Sequence, residues 1–343
     1  GFYVIVGGWM LAFMMEPAIT LLGQENLGSW LTDFSLARNI GFSGLFVLLT
    51  VLIISAGVEQ GIEKWSSRLM PSLFALMLAL IVYVLTQDGA SEGMKHYLVP
   101  DFSQITNPDL IVSAMGQAFF SMSLGVGTML VYGSYIRADE NLPTVGALVT
   151  LTDTSIAFLA GLLVLPAIFV AQKLGVTVYS DSGSLIAGPD LIFQVLPALF
   201  DGMGAAGLFV GFAFFVLMSI AAVTSSISML EVPVSYAVES HKIDRQTATW
   251  IIGLIIFGIS TAISLNFDSL FGFVITLTTE RAQPLLSMMI CIFAGWIFYR
   301  HTILNELKSG NPSIESGLFW KLWPAYVKFV CPLLILLTFA QGF

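Results

Sequence analysis

The sequence is poor in charge. Only 10% of its 343 residues are charged, while 57% are hydrophobic. A soluble domain has about 25% charged and roughly 45–50% apolar residues. The scarcity of charge excludes an ordinary soluble globular protein and predicts an integral membrane protein.

Cysteine, histidine and basic stripes are also scarce. Cys291 and Cys331 lie in apolar segments and are interpreted as small buried hydrophobic residues. The three histidines lack metal-ligand spacing, and the net charge of −9 excludes nucleic acid as a partner. The sequence contains no nucleophile with a neighbouring base, no phosphate-binding loop and no cluster of metal ligands. We therefore expect no enzyme activity.

The apolar segments predict an all-α polytopic protein with one transmembrane domain covering residues 1–343. A spanning helix needs about 20 apolar residues, which gives nine predicted spans. They cover 1–22, 40–58, 70–87, 110–136, 144–171, 205–232, 247–266, 270–299 and 319–340. Residues 184–200 carry two prolines and an aspartate and predict an extracellular loop helix.

Lysine and arginine are concentrated in alternate connections. Because such residues favour the cytoplasmic side, the connections after the second, fourth, sixth and eighth spans are predicted to be cytoplasmic. This favours a multi-pass protein of the cell (inner or plasma) membrane. Gly1 opens directly into an apolar helix without an initiator methionine, so we expect a fragment that starts inside a span.

Residues 116–127 read GQAFFSMSLGVG and predict a helix broken near 123–127. In lipid, non-helical backbone is tolerated only where it is buried in protein or lines a polar cavity. Broken helices near the bilayer midplane are typical of one class of secondary transporter. The break therefore predicts a binding site.

Two further polar features lie within apolar segments. Ala221, Thr224 and Ser225 share one helical face, where hydroxyl and carbonyl oxygens could bind a hard cation. The alternative is that these hydroxyls bond to the preceding turn or to a neighbouring helix. Asp153 lies deep in its span, where an unpaired charge is costly, so it should face a cation or carry a proton.

The chain resembles the neurotransmitter:sodium symporter family, especially its bacterial amino-acid transporters. The similar segments are FYVIVGGW at 2–9, GVEQGIEKWSSRLMP at 57–71, GQAFFSMSLGVGTMLVYGSY at 116–135, GPDLIFQVLP at 188–197 and AAVTSSISMLEVPVSY at 221–236. By this resemblance, the chain matches the third to eleventh helices. It implies the inverted-repeat, broken-helix fold of leucine-transporter-like proteins, without the first two helices.

The resemblance also implies roles for individual residues. Substrate contacts would come from Tyr3, Phe120, Ser121, Ser123, Leu124, Gly125, Val126, Ser225 and Met229. Sodium ligands would be Ser121, Asp153, Ala221, Thr224 and Ser225, and gating residues Gln117, Tyr135 and Glu239. Without the resemblance, Tyr3 could be an interfacial anchor, Phe120 and Leu124 ordinary packing residues, and Glu239 a solvated helix end.

The implied function is sodium-coupled uptake of a neutral amino acid, hydrophobic or aromatic, by alternating access. Two sodium sites are expected, with no chloride requirement because Asp153 supplies the negative charge. The partners are a small amino-acid substrate and the lipid bilayer, and the oligomeric state is left open. The alternatives are a transport-inactive fragment of such a symporter and a membrane channel or scaffold.

Overall fold

The structure is a computed structural model that describes residues 1–180, 185–186, 188–298 and 300–341. Within these ranges the chain is helical, apart from connections and one isolated antiparallel bridge between Tyr179 and Leu185. This all-helical architecture agrees with the predicted fold class.

Seventeen α-helices, some continued by π-helical turns, follow one another along the described residues. They are α1 (Phe2–Leu21), α2 (Glu25–Thr32), α3 (Leu36–Ser55), α4 (Lys64–Leu85), α5 (Ala90–Leu98), α6 (Pro108–Ser121), α7 (Thr128–Tyr135), α8 (Leu142–Lys173), α9 (Gly188–Asp190), α10 (Leu196–Gly202), α11 (Ala205–His241), α12 (Arg245–Leu265), α13 (Phe267–Ile275), α14 (Gln283–Ile292), α15 (Arg300–Gly310), α16 (Leu318–Ala325) and α17 (Cys331–Gln341). The π-helical turns are Val58–Glu63, Leu191–Val195, Thr276–Ala282, Phe293–Ile297 and Tyr326–Val330.

Among the described residues, seven helices are long and apolar enough to cross a membrane. The number rises to eight if Phe267–Ile297 and Arg300–Gly310 together form one bent span. The segment predicted as 110–136 is divided between α6 and α7, each too short to cross a bilayer alone. The number of nine spans stays a prediction. Of the loop helix predicted at 184–200, residues 184 and 187 lie outside the described residues, and helix runs from Gly188 to Gly202.

The chain divides into two compact units. The first comprises Gly1–Pro100 and Ala157–Phe267, and the second Asp101–Ile156 and Asp268–Phe343. In the first unit, α1 packs against α3 and α11, and in the second, α14 packs against α17.

Two adjacent glycines allow α1 to approach α3 closely. A Cβ atom at Gly7 would lie 2.4 Å from the Phe46 ring, and one at Gly8 would lie 2.8 Å from the backbone nitrogen of Ser43. Small residues are favoured where membrane helices touch, because they bring the backbones together. The glycines before Trp9 therefore set the spacing of this helix pair.

A buried arginine organises the start of α3. The guanidinium of Arg38 donates to the carbonyl of Leu31 at 2.8 Å and to the Asn39 amide oxygen at 3.0 Å. Its Cζ lies 4.9 Å from the centre of the Phe34 ring. Trp9 Nε1 donates to the same Asn39 oxygen at 2.8 Å. This polar network ties α1, α2 and α3 together.

An ion pair joins the second half of α11 to the start of α12. Glu231 is fully buried, Arg245 is partly exposed, and Arg245 Nη2 donates to Glu231 Oε2 at 2.5 Å. Arg245 Nε also donates to the carbonyl of Ile54, the penultimate residue of α3, at 3.1 Å. Hydrogen bonds between charged groups are stronger than neutral ones, so this pair holds the buried carboxylate in place.

We predict that Glu231→Ala destabilises the protein by about 1.5–3 kcal/mol, because it removes the charge-assisted hydrogen bond between Arg245 and the buried carboxylate. The apparent Tm of the full-length protein in detergent should fall sharply. Glu315→Gln is the control, since it breaks the exposed pair with Lys308, whose hydrogen bond lowers the pKa of Glu315. An equal loss of Tm in both variants would contradict the assignment.

Candidate functional site

The broken helix has a defined backbone geometry. The first half, α6, ends at Ser121, and the second, α7, starts at Thr128. Between them, φ is +51° at Ser123, +83° at Gly125 and +90° at Gly127. Residues with Cβ atoms seldom adopt such values, so the two glycines make the interruption possible.

The interruption is stabilised from α14. The Gln283 side chain, which is buried, donates from Nε2 to the carbonyl of Phe119 at 2.9 Å. The backbone N–H of Leu124 donates to the same carbonyl at 3.0 Å. A Cβ at Gly125 would lie 2.3 Å from the carbonyl oxygen of Gln283, so only glycine fits there. Gln283 was not among the predicted site residues, although a glutamine beside Pro284 in an apolar helix is a signal of a buried hydrogen bond.

A carboxylate from α8 faces the end of α6. Ser121 Oγ lies 2.9 Å from Oδ1 and 2.8 Å from Oδ2 of Asp153, to which it donates its proton. Two residues predicted to bind the first sodium ion are thus brought together within the second unit. Carboxylate and hydroxyl oxygens are the ligand type that hard cations prefer.

A cavity of about 420 Å³ adjoins the break in the second unit. Ser123, Leu124 and Gly125 line it, as do residues of α14 and α17, including both cysteines. Phe120 and Val126 are exposed and are not among its lining residues. Of these five predicted substrate residues of the break, three therefore line the cavity and two do not.

In the first unit, the hydroxyl of Thr224 bonds within its own helix. Thr224 Oγ1 lies 3.0 Å from the carbonyl oxygens of both Ile220 and Ala221, so it donates to the preceding turn. This is the alternative that spacing alone left open. A hydroxyl that donates its proton keeps its lone pairs, so the same oxygen can still accept a cation.

Tyr3 of α1 lies beside another predicted substrate residue, Met229 of α11. Tyr3 and Met229 together line a cavity of about 80 Å³, which also contains the buried side chains of Thr50 and Ser226. Ser225 is exposed and is not among the lining residues. Two residues predicted to contact substrate therefore converge in the first unit.

Comparisons with known proteins identify the family of the chain. The profile described as the sodium:neurotransmitter symporter family matches residues 39–343. The chain belongs to this family. It is 31% identical to the uncharacterized sodium-dependent transporter YhdH of Bacillus subtilis, over 98% of this chain and 75% of that protein. It is 32% identical to an uncharacterized sodium-dependent transporter of Haemophilus influenzae, over 99% of this chain and 75% of that protein.

A solved structure of the bacterial transporter MhsT in complex with L-phenylalanine matches with a TM-score of 0.81 and 34% sequence identity. The match covers 100% of this chain and 78% of that chain. Membership in the symporter family establishes a sodium-dependent, multi-pass membrane transporter with the leucine-transporter-like fold, and not an enzyme.

The residues expected to gate a family member lie in both units. Gln117 of the second unit and Glu239 of the first are exposed, and the ring of Tyr135 lies 6.3 Å from that of Tyr132. In the second half of α11, the buried carboxylate of Glu231 is paired with Arg245, and this pair was not among the predicted residues. A glutamate near the end of an apolar segment, followed by an arginine across a short turn, was the available signal.

We predict that Gly125→Ala disrupts the broken helix of this symporter. Alanine would have to adopt φ near +83°, which is strained for a residue with a Cβ, and that Cβ would collide with the Gln283 carbonyl oxygen. Sodium-dependent uptake should fall at least about tenfold, equivalent to about 1.4 kcal/mol. Gly116→Ala is the matched control, since open space surrounds that position in α6 and alanine favours helix. Normal uptake by Gly125→Ala in proteoliposomes would show that the break tolerates a side chain.

Proposed function

We propose that the protein is a sodium-coupled symporter for a neutral, hydrophobic or aromatic amino acid and that it needs no chloride. The observation that carries this proposal is the Asp153 carboxylate, which accepts from Ser121 at the end of the interrupted helix. A charge at this depth is costly unless it has a function. A sodium ion bound beside it would be neutralised by one carboxylate.

The first sodium site is proposed at Ser121 and Asp153. In the present hydrogen bond Ser121 donates its hydroxyl proton, and lone pairs remain on the oxygens of both side chains. A sodium ion would be bound by these oxygens, and the rigid helix α8 would hold the carboxylate in place. Asp153 would then supply the charge that chloride supplies in chloride-dependent relatives, which motivates the proposed chloride independence.

The second sodium site is proposed on α11. Ala221 offers its carbonyl, and Thr224 and Ser225 offer hydroxyls on the same face of the helix. The back-bonded geometry of Thr224 fixes the position of its oxygen before an ion arrives. Preorganised oxygen ligands of this kind reduce the entropy that binding would otherwise cost.

For the substrate, we propose that the half-helix starting at Thr128 attracts the amino-acid carboxylate, since helix N-termini carry free N–H groups and a positive dipole end. Within the first unit, Tyr3 and Met229 are proposed as further substrate contacts. Phe120, Leu124 and Val126 would contact an apolar side chain. L-Phenylalanine in the MhsT structure supports an aromatic or hydrophobic substrate.

The proposed coupling is energetically sufficient. Each sodium ion yields about 1.4 kcal/mol for a tenfold gradient and about 2.3 kcal/mol more for 100 mV of inside-negative potential. Two ions would supply roughly 7 kcal/mol, enough to concentrate a zwitterion about 10⁵-fold. We place the protein in the cell membrane, with the connections after the second, fourth, sixth and eighth predicted spans in the cytoplasm. Gln117, Tyr135 and Glu239 are proposed as gating residues.

The test is uptake of radiolabelled phenylalanine or leucine by the full-length protein in proteoliposomes. We predict saturable uptake that disappears when potassium replaces sodium and persists when gluconate replaces chloride. Uptake that requires chloride would contradict the role of Asp153, and uptake without sodium would contradict the coupling.

Asp153→Ala and Thr224→Ala test the two ion sites separately. Each should raise the sodium concentration for half-maximal uptake at least about tenfold, because each removes a ligand oxygen. Thr154→Ala is the control on α8 and Ser228→Ala the control on α11. Both hydroxyls donate to a backbone carbonyl one turn earlier, as that of Thr224 does, but neither residue is a proposed sodium ligand. If either test variant keeps the normal sodium dependence while folding normally, the site at that residue is wrong.

A further inference from the structure

A cavity of about 340 Å³ lies in the second unit, where the end of the α14 segment, the start of α15 and the α16–α17 segment meet. Two cationic side chains, Arg300 and Lys328, contribute to its lining. The rest of the lining is apolar or aromatic and includes Gly295, Phe298, Trp323 and Phe329. Two positive charges on an otherwise apolar wall are unusual in a chain with so few charges.

Both cations rest on aromatic rings. Lys328 Nζ lies 4.2 Å from the centre of the Trp296 ring, and Cζ of Arg300 lies 5.2 Å from the centre of the Trp320 ring. The ion pairs recorded for the described residues join Arg137 to Asp139, Arg245 to Glu231, and Lys308 to Glu315. Within that part of the chain, neither cavity cation is therefore neutralised by a carboxylate, and ring faces alone orient them.

The backbone around the cavity is built to hold Lys328 in position. Phe293–Ile297 and Tyr326–Val330 are both π-helical turns, which often occur at functional sites. Trp296 Nε1 donates to the carbonyl of Lys328 at 3.2 Å. A Cβ at Gly295 would lie 3.0 Å from Cα of Lys328, so a glycine allows the two turns to touch.

The aromatic residues around the two cations are of the kind that is typical of the interfacial zone of a bilayer. Trp296, Trp320 and Trp323 lie around the cavity, and tryptophan is enriched at the level of lipid headgroups. Phe298 and Phe329 are exposed beside them, where acyl chains would run. Basic pockets at this level between membrane helices bind anionic lipid headgroups.

We propose that Arg300 and Lys328 form a binding site for the phosphodiester of an anionic phospholipid, with its acyl chains against the neighbouring aromatic residues. Arginine and lysine are the side chains that recognise phosphate, and the aromatic contacts leave their N–H groups available. A zwitterionic lipid carries a cationic headgroup that these two charges repel, so the site selects phosphatidylglycerol over phosphatidylcholine. Free inorganic phosphate has no acyl chains to contact the apolar walls, so the site should bind it more weakly than the lipid.

The test is native mass spectrometry of the purified full-length protein in mild detergent, titrated with phosphatidylglycerol, with phosphatidylcholine or with inorganic phosphate. We predict retention of phosphatidylglycerol by the wild type. Lys328→Gln and Arg300→Gln should each weaken this binding about fivefold, and the double variant about 25-fold. Lys328→Arg should retain it, because the positive charge remains.

Lys321→Gln is the matched control, since Lys321 is exposed on α16 and is not among the residues that line the cavity. Lys321→Gln should bind phosphatidylglycerol like the wild type, and an unchanged apparent Tm without lipid will show that the variants fold. The proposal is overturned if Lys328→Gln and Lys321→Gln lose phosphatidylglycerol binding equally. It is also overturned if phosphatidylcholine or inorganic phosphate binds as tightly as phosphatidylglycerol.

Discussion

A polar backbone group inside a bilayer must find its partner within the protein, and the broken helix of this symporter depends on that constraint. Six residues leave the helical path between Ser121 and Thr128. The interruption is stable because Gln283 reaches across from α14 to the Phe119 carbonyl, at the point where Gly125 lets the two segments touch. The backbone N–H and C=O groups that the break leaves outside helical hydrogen bonds are then able to bind ions and substrate.

The same constraint explains where the charges of the membrane helices lie. Asp153 accepts a hydrogen bond from Ser121, and Glu231 is held by Arg245. Arg38 donates to backbone and amide oxygens and stacks on aromatic rings. Each charge has a specific neighbour, yet the neighbours differ in kind. A hydroxyl leaves the Asp153 carboxylate its negative charge, whereas an arginine neutralises Glu231. This difference makes Asp153 the better candidate for binding a cation.

Much of the architecture followed from the sequence. The glycines of residues 116–127 predicted an interruption, and the structure places it between Ser121 and Thr128. Asp153 was predicted to face a cation or carry a proton, because an unpaired charge in a membrane is costly, and this stays a prediction. Local patterns could not reveal Gln283 or the Glu231–Arg245 pair, since each contact joins different helices. Glu239 was chosen by resemblance, and it is exposed in the structure.

By itself, the sequence determined that this protein is a helical membrane transporter of the sodium symporter family, because hydropathy, glycine placement and family motifs are local properties of the chain. Only the tertiary structure decided which groups meet: Ser121 with Asp153, Gln283 with the Phe119 carbonyl, and Thr224 with its own preceding turn. It alone also brought Arg300 and Lys328 to one cavity. The physical reason is that such distances depend on how helices pack, and packing is settled by contacts between residues far apart in sequence.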